Sequence, residues 1–289
     1  MRQLKRQRNI HRMMNKIITI FFLGLTTLIF GQNSKGPNFD IADFNKKMEV
    51  AEWLYEYDMI AWRTSDSVLV QDEKDLERLG NEWFCFQKND TWHAVYGKYE
   101  NNHFDLVFHF MVDNKGQISK TTETLDTTFL LRYSRALQTA NNQILTLKDT
   151  ITLKFNQYIK ENQDQTLTVW ILPAYQPNNV AVYGGEFIYT IDQTGTKVLK
   201  DDSYFQGQFR GFKVDNPREI WINYRETEKP TLGAVFFVWY YKSYFTKIVI
   251  DNSKSISTTI KSDDNWTWIH AIKEPEKQKK KTDKKKAAA

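Results

Sequence analysis

The sequence predicts an α+β fold in which helices pack on one face of antiparallel sheet. Apolar residues recur every three or four positions up to Gly80 and again from Leu125 to Ile144, which is typical of amphipathic helices. From Glu82 to Val112, and through most of the second half, the apolar period is two, which is typical of strands. The composition, 41% hydrophobic and 26% charged, indicates a globular domain rather than a disordered or fibrous chain.

The first predicted helix has one continuous apolar face. Its members follow one another in steps of three and four: Phe44, Met48, Ala51, Tyr55, Met59 and Trp62. The face is widened by Val50, Leu54, Tyr57 and Ala61. Charged residues take the opposite side of the helix, so the apolar face is expected to be buried. A short second helix is expected from about Asp66 to Arg78, ended by Gly80 and Asn81.

A three-strand meander is expected next, followed by a second long helix and a strand-rich half. The meander covers residues 82–88, 92–99 and 103–112, and the helix runs from about Leu125 to Ile144. Further strands are predicted at 167–172, 180–191, 197–200, 219–224, 233–240, 245–250, 257–260 and 266–272. The polar segment 160–165 marks a loop or a helix end. We expect a single domain over 32–272, with a sub-boundary near 146–165 as the alternative.

Residues 1–31 have the features of a secretory signal peptide. Six Lys or Arg and no acid precede or flank an uncharged run of 14 residues, Ile17 to Phe30, that ends at Gly31. A spanning helix needs about 20 apolar residues, so cleavage is favoured over an uncleaved anchor. Cys85 is the only cysteine, which excludes an intrachain disulfide. These features together favour export to a bacterial periplasm or to the extracellular space.

The net charge of +5 comes from the two ends of the chain. Between residues 32 and 272 there are 26 basic and 32 acidic residues, a net charge of −6, which disfavours nucleic-acid binding by the folded domain. Residues 273–289 contain eight Lys and few apolar residues, so we predict a disordered tail. The tail is interpreted as a solvated chain end, and weak contact with an anionic surface is the alternative.

Asp58 is the first candidate site residue. At 100° per residue it falls inside the apolar arc of the first helix, between Ala51, Tyr55 and Trp62. A carboxylate in that position must be paired, protonated or exposed to a cavity. One interpretation is a ligand-contacting or acid–base group in a pocket beneath the helix. The other is a structural group with a partner such as Arg132.

A metal site at His93 and His109 would depend on the register of the second hairpin. With a three-residue loop the two imidazoles would lie directly opposite each other. With Asn101-Asn102 as a two-residue loop, Lys98 lies opposite Asp105 instead. The second register forms a charge pair and uses turn residues that tolerate positive φ, so it is preferred and no metal site is predicted.

Aromatic residues are abundant, with nine Trp, 14 Tyr and 19 Phe. Trp266 and Trp268 would lie on one face of a strand, where exposed indole rings of an exported protein can stack on sugars. Core or cross-strand packing is the preferred interpretation for most of the aromatic rings, and stacking on a ligand is the alternative.

The chain contains no Gly-x-Ser-x-Gly, His-Glu-x-x-His, Cys-x-x-Cys, Ser-x-x-Lys or phosphate-binding glycine loop. We therefore expect a non-enzymatic exported protein without a cofactor that binds a ligand or an envelope partner, with Asp58, Trp266 and Trp268 as candidate contacts. The alternative is a carboxylate-dependent, glycosidase-like hydrolase acting outside the cytoplasm, because two carboxylates brought together by the fold leave no local motif. The hydrolase is distinguished from the binding protein by whether two carboxylates, Asp58 being the first candidate, converge in one pocket.

Processing of the leader is directly measurable. Mass spectrometry of the protein from its native host should find a mature N-terminus near Gln32 or Asn33, because the apolar run ends just before them. An intact Met1 or Met13 on cell-associated protein would contradict cleavage.

Overall fold

A 29-residue helix, α1 (Ile41–Leu69), begins the part of the chain that the computed structural model describes, residues 39–263 and 265–274. Asp40 caps this helix by accepting a hydrogen bond from the Asp43 N–H at 3.1 Å. The predicted signal peptide, and all of the predicted tail after residue 274, lie outside the described residues. A short helix, α2 (Glu73–Leu76), follows. The short second helix expected between Asp66 and Arg78 is thus present with narrower bounds, because the first helix continues to Leu69.

The buried face of α1 agrees in part with the predicted one, since Phe44, Ala51, Leu54, Tyr57 and Ala61 are buried as expected. The side chains it buries are Phe44, Ala51, Leu54, Tyr57, Asp58, Ile60, Ala61, Thr64 and Val68. Trp62 is 67% exposed, so the prediction that it is buried is wrong. The helix has apolar residues on more of its circumference than the neighbouring elements cover. Thr64 can be buried because its hydroxyl donates to the Ile60 carbonyl and bonds the Tyr96 hydroxyl.

The predicted meander is confirmed and gains a fourth strand. Its strands are paired in chain order: β1 (Glu82–Lys88), β2 (Thr91–Glu100), β3 (His103–Val112) and β4 (Ile118–Lys120). Asn101 and Asn102 adopt positive φ in the two-residue loop, and Lys98 lies opposite Asp105 as predicted. A bulge then shifts the register by one residue, with Val107 of β3 as the extra residue opposite the step from Tyr96 to Gly97. A Cβ on Gly97 would overlap the backbone of β3, so the bulge requires glycine.

The second long helix, α3 (Thr127–Gln143), packs against a five-stranded antiparallel sheet, and the short α4 (Leu145–Thr150) follows it. The strands are β5 (Phe155–Glu161), β6 (Leu167–Pro173), β7 (Val180–Ile191), β8 (Val198–Asp201) and β9 (Tyr204–Lys213). The sequence pattern missed β5, which has no clear alternation in burial, and β9, which contains two glycines. Residues 162–165 form the β5–β6 turn.

The final sheet contains a parallel strand pair that a helix connects. Its strands are β10 (Glu219–Tyr224), β11 (Lys247–Asn252), β12 (Ser255–Ser262) and β13 (Asn265–Ile272). The parallel pair β10–β11 requires a crossover, which α5 (Leu232–Tyr241) provides. The prediction of a strand over 233–240 is therefore wrong. A helix that is buried on nearly all sides shows no apolar periodicity in its sequence. The local signal for its start is Thr231, whose hydroxyl accepts a hydrogen bond from the Ala234 N–H at 3.2 Å.

Helices α1 and α5 pack against each other and join the sheets into one fold. One apolar cluster includes Phe84 and Leu130 from before residues 146–165 and Leu167 and Tyr189 from after them. Within the described residues, none of the helices has the length and apolar character that crossing a membrane requires. Lys273, the first residue of the predicted tail, belongs to the fold, since its ammonium bonds the buried Asp251 carboxylate.

Candidate functional site

An aromatic cleft of about 530 Å³ opens between α1, β1, the start of α3 and the end of β5. Its lining residues are Trp53, Phe86, Gln87, Lys88, Thr124, Leu125, Asp126, Phe129, Tyr133, Ile159, Lys160 and Glu161. A second depression, between α4 and β9, has no ionisable side chain in its lining. The aromatic cleft is the better candidate site because it combines an apolar wall with charged groups.

Edge-on and tilted rings form the inner wall of the aromatic cleft. The ring centroids of Phe86 and Phe129 lie 4.8 Å apart at 68°, and those of Phe129 and Tyr133 lie 4.3 Å apart at 44°. Trp53 adds an indole from α1. Rings packed in this way hold each other in place, so the wall presents a preformed surface for a flat apolar group.

Four charged side chains surround the wall, and three of them have charged or backbone partners. Glu161 pairs with Arg132 at 3.0 Å, and Lys88 pairs with Glu123 at 2.5 Å. Asp126 caps α3 by accepting from the Thr128 N–H at 2.9 Å. The fourth, the Lys160 ammonium, lies 5.0 Å from the centroid of the Trp53 ring.

The His93–His109 pair lies directly behind the wall, and the bulge between β2 and β3, where Val107 is the extra residue, creates it. With His109 opposite Val95, the two imidazoles share a face and His93 Nδ1 lies 2.8 Å from His109 Nε2. The Glu123 carbonyl only accepts, so His109 Nδ1 donates to it at 3.3 Å and His109 Nε2 accepts from His93. The ring of Phe86 stacks on His93 at 4.8 Å.

Both imidazoles are neutral at pH 7, because burial lowers the pKa of His93 and of His109. The 2.8 Å between His93 Nδ1 and His109 Nε2 is a hydrogen-bond distance. In the described part of the chain no three His, Cys, Asp or Glu side chains are grouped to hold a metal ion. The predicted register was right beside the turn and wrong at His109, because a bulge leaves no simple sequence signal other than Gly97.

Asp58 lies in the core, away from the aromatic cleft. Its carboxylate accepts hydrogen bonds from the Tyr158 hydroxyl at 3.0 Å, from the Asn156 amide at 2.7 Å and from the Tyr240 hydroxyl at 2.8 Å. Burial raises the pKa of Asp58, and the three hydrogen bonds oppose that rise. The suggested partner Arg132 is wrong, since its guanidinium bonds Glu161.

Trp266 and Trp268 lie on the face of β13 that is turned toward α1, and both are half-buried. The indole N–H of Trp268 contacts the Met48 sulfur at 3.2 Å, and its ring meets Phe44 edge-on at 4.8 Å. Trp268 is thus packed against the helix. Neither Trp266 nor Trp268 lines the aromatic cleft.

Glu186 is a second buried carboxylate that the sequence did not single out. It accepts hydrogen bonds from the Thr231 hydroxyl at 2.7 Å and from the Gly233 N–H at the start of α5. Burial raises the pKa of Glu186 to about 7, and these hydrogen bonds oppose the rise. A Cβ on Gly233 would overlap the carboxylate, so the close approach requires glycine there.

Asp58 and Glu186 do not share a site. Asp58 bonds Tyr240 near the end of α5, whereas Glu186 bonds Gly233 at its start, and seven residues of helix separate these contacts by about 10 Å. The carboxylates that do share a cavity are Asp126 and Glu161, in the aromatic cleft. Sequence patterns could not find this pair, because its members lie on different elements without a local motif.

Comparison of the chain with protein-family models, with curated proteins and with solved structures finds no match. The chemistry of the aromatic cleft is therefore inferred from its own residues.

Replacing Asp58 tests whether the buried carboxylate is structural. Asp58→Ala leaves the hydroxyls of Tyr158 and Tyr240 without their acceptor and should lower the free energy of unfolding by about 2–5 kcal/mol. Asp58→Asn, which keeps an acceptor, should cost less. Asp66→Ala, on the exposed side of the same helix, is the control and should change stability by less than about 0.5 kcal/mol. Unchanged or higher stability of Asp58→Ala in a urea titration would favour a ligand-binding carboxylate.

The pKa of Glu186 predicts a pH-dependent stability. The folded state holds the Glu186 proton more tightly than the unfolded chain does, whose ordinary pKa is 4.5. The contribution of Glu186 to the free energy of unfolding should therefore be greatest below pH 4.5. It should fall by about 3 kcal/mol in total as the pH rises toward 7. Glu186→Gln should remove this fall, and the exposed control Glu77→Gln should retain it, in melting curves measured across that range. Parallel curves for wild type and Glu186→Gln would refute the assignment.

Proposed function

We propose that this chain is an exported binding protein that holds a small molecule with a flat apolar body in the aromatic cleft. The observation that carries the proposal is the wall of packed rings, Phe86, Phe129 and Tyr133, facing a concave space of about 530 Å³. Cavities of that size, largely apolar with a few placed polar groups, are typical of small-molecule sites.

The charges in the aromatic cleft favour binding over hydrolysis. A carboxylate hydrolase needs one carboxyl group that donates a proton and a second that attacks or activates water. Glu161 is paired with the Arg132 guanidinium, and Asp126 accepts a backbone N–H of α3, so both are engaged in holding the fold. The wall itself contains no nucleophile held by a base.

Export is supported by the sequence of residues 1–31 and is independent of the cleft. A basic segment followed by a 14-residue uncharged run is the pattern of a secretory leader. The ligand would then be one that is present outside the cytoplasm. Mapping the mature N-terminus tests this part of the proposal alone.

A carboxylate-dependent hydrolase is the second candidate, because Asp126 and Glu161 line the same cavity. It predicts turnover of a glycoside or ester that Asp126→Asn and Glu161→Gln each abolish while the fold is kept. The binding proposal predicts no turnover by the wild-type chain.

The binding proposal is tested by filling the aromatic cleft. Thr124 is exposed and lines it, so Thr124→Trp should occupy the space without removing a core contact. The probe is N-phenyl-1-naphthylamine, a neutral dye whose emission rises in apolar surroundings. Its affinity for Thr124→Trp should fall by about tenfold or more, which corresponds to about 1.4 kcal/mol.

Thr122→Trp is the matched control. Thr122 is also exposed, lies two residues away in the same segment and does not line the cleft, so its replacement should leave dye binding within about twofold. Equal binding by wild type, Thr124→Trp and Thr122→Trp would place the dye elsewhere and refute the proposal.

A further inference from the structure

We infer, building on the proposed function, that the aromatic cleft selects ligands in which an anionic group is attached to the flat apolar body, and that Lys160 holds the anion. The ligand class is an aromatic acid: a carboxylate, sulfonate or phosphate next to a ring system.

Lys160 has the placement that this role requires. It is the penultimate residue of β5, its side chain is exposed, and its ammonium lies over the Trp53 ring at 5.0 Å. No carboxylate of the described residues forms an ion pair with it. An ammonium has three N–H donors, so Lys160 can donate to an oxyanion while its stem stays against Trp53.

Both carboxylates that line the aromatic cleft already have a partner. Glu161 is neutralised by Arg132, and Asp126 accepts the Thr128 N–H. Lys88 adds a second ammonium to the lining, shared with Glu123. A cationic ligand would face Lys88 and Lys160 and would have to compete with Arg132 for Glu161.

The net negative charge of the body does not prevent this selection. Residues 32–272 carry a net charge of −6, but charges farther from the cleft than the screening length of about 8 Å at physiological ionic strength contribute little there. Contact with Lys160 and Lys88 therefore determines whether an anionic or a cationic ligand is preferred. Added salt should weaken the binding of an anion.

The experiment compares two dyes that differ in one charge. 8-Anilinonaphthalene-1-sulfonate has the ring skeleton of N-phenyl-1-naphthylamine with an added sulfonate. The wild-type chain should bind the sulfonate dye about tenfold more tightly than the neutral dye. Lys160→Met keeps the apolar stem over Trp53 and should remove most of that preference, with neutral-dye binding unchanged within about twofold.

Lys154→Met is the matched control, since Lys154 is exposed, directly precedes β5 and does not line the aromatic cleft. It should retain the preference for the sulfonate dye. Equal melting temperatures for the two variants would exclude unfolding as the cause. Lys88→Met is a weaker test, because it also releases the Glu123 carboxylate from its ion pair.

The outcomes separate this inference from the proposed function. If the neutral dye binds and Thr124→Trp excludes it, but the sulfonate dye binds no better and is unaffected by Lys160→Met, the anion selectivity is wrong and the binding function stands. If Thr124→Trp excludes neither dye, the proposed function fails and the inference fails with it. Loss of sulfonate-dye binding in both Thr124→Trp and Lys160→Met, with Lys154→Met unaffected, supports both.

Discussion

The buried carboxylate of Asp58 joins the elements on which the rest of the structure depends. It lies on α1 and accepts hydrogen bonds from Asn156 and Tyr158 on β5 and from Tyr240 on α5. A carboxylate removed from water is stable only when its oxygens are bonded, so the position of the first helix is coupled to two elements from the second half of the chain. Loss of these bonds would allow α1 to move relative to β5.

That coupling explains how an apolar cleft forms between parts of the chain that are far apart in sequence. Trp53 comes from α1, Phe86 from β1, Phe129 from α3 and Lys160 from β5. The buried helix α5 packs against α1, and Glu186 bonds its first turn. The carboxylates that join these elements, Asp58 and Glu186, are therefore different residues from those that line the cleft, so a rigid scaffold presents the site.

The candidate site was less predictable than the fold. Asp58 was found by its position on a helical wheel, and burial of a carboxylate did follow, but its partners are neutral hydroxyl and amide groups and it lies outside the aromatic cleft. Trp268 was found by aromatic content, which does not distinguish a stacking platform from core packing, and its ring packs against α1. The His93–His109 contact depends on one extra residue at a bulge, which changes the face that His109 occupies.

The sequence by itself determined the α+β class, the meander with its turn at Asn101-Asn102, the second long helix and most of the C-terminal strands, because local periodicity and turn chemistry follow from backbone geometry. Only the tertiary structure decided that 232–241 is a helix, since a segment buried on all sides has no period to read. It also left Trp62 of α1 exposed, and it assembled the aromatic cleft. Those outcomes depend on contacts between distant residues, which no local pattern encodes.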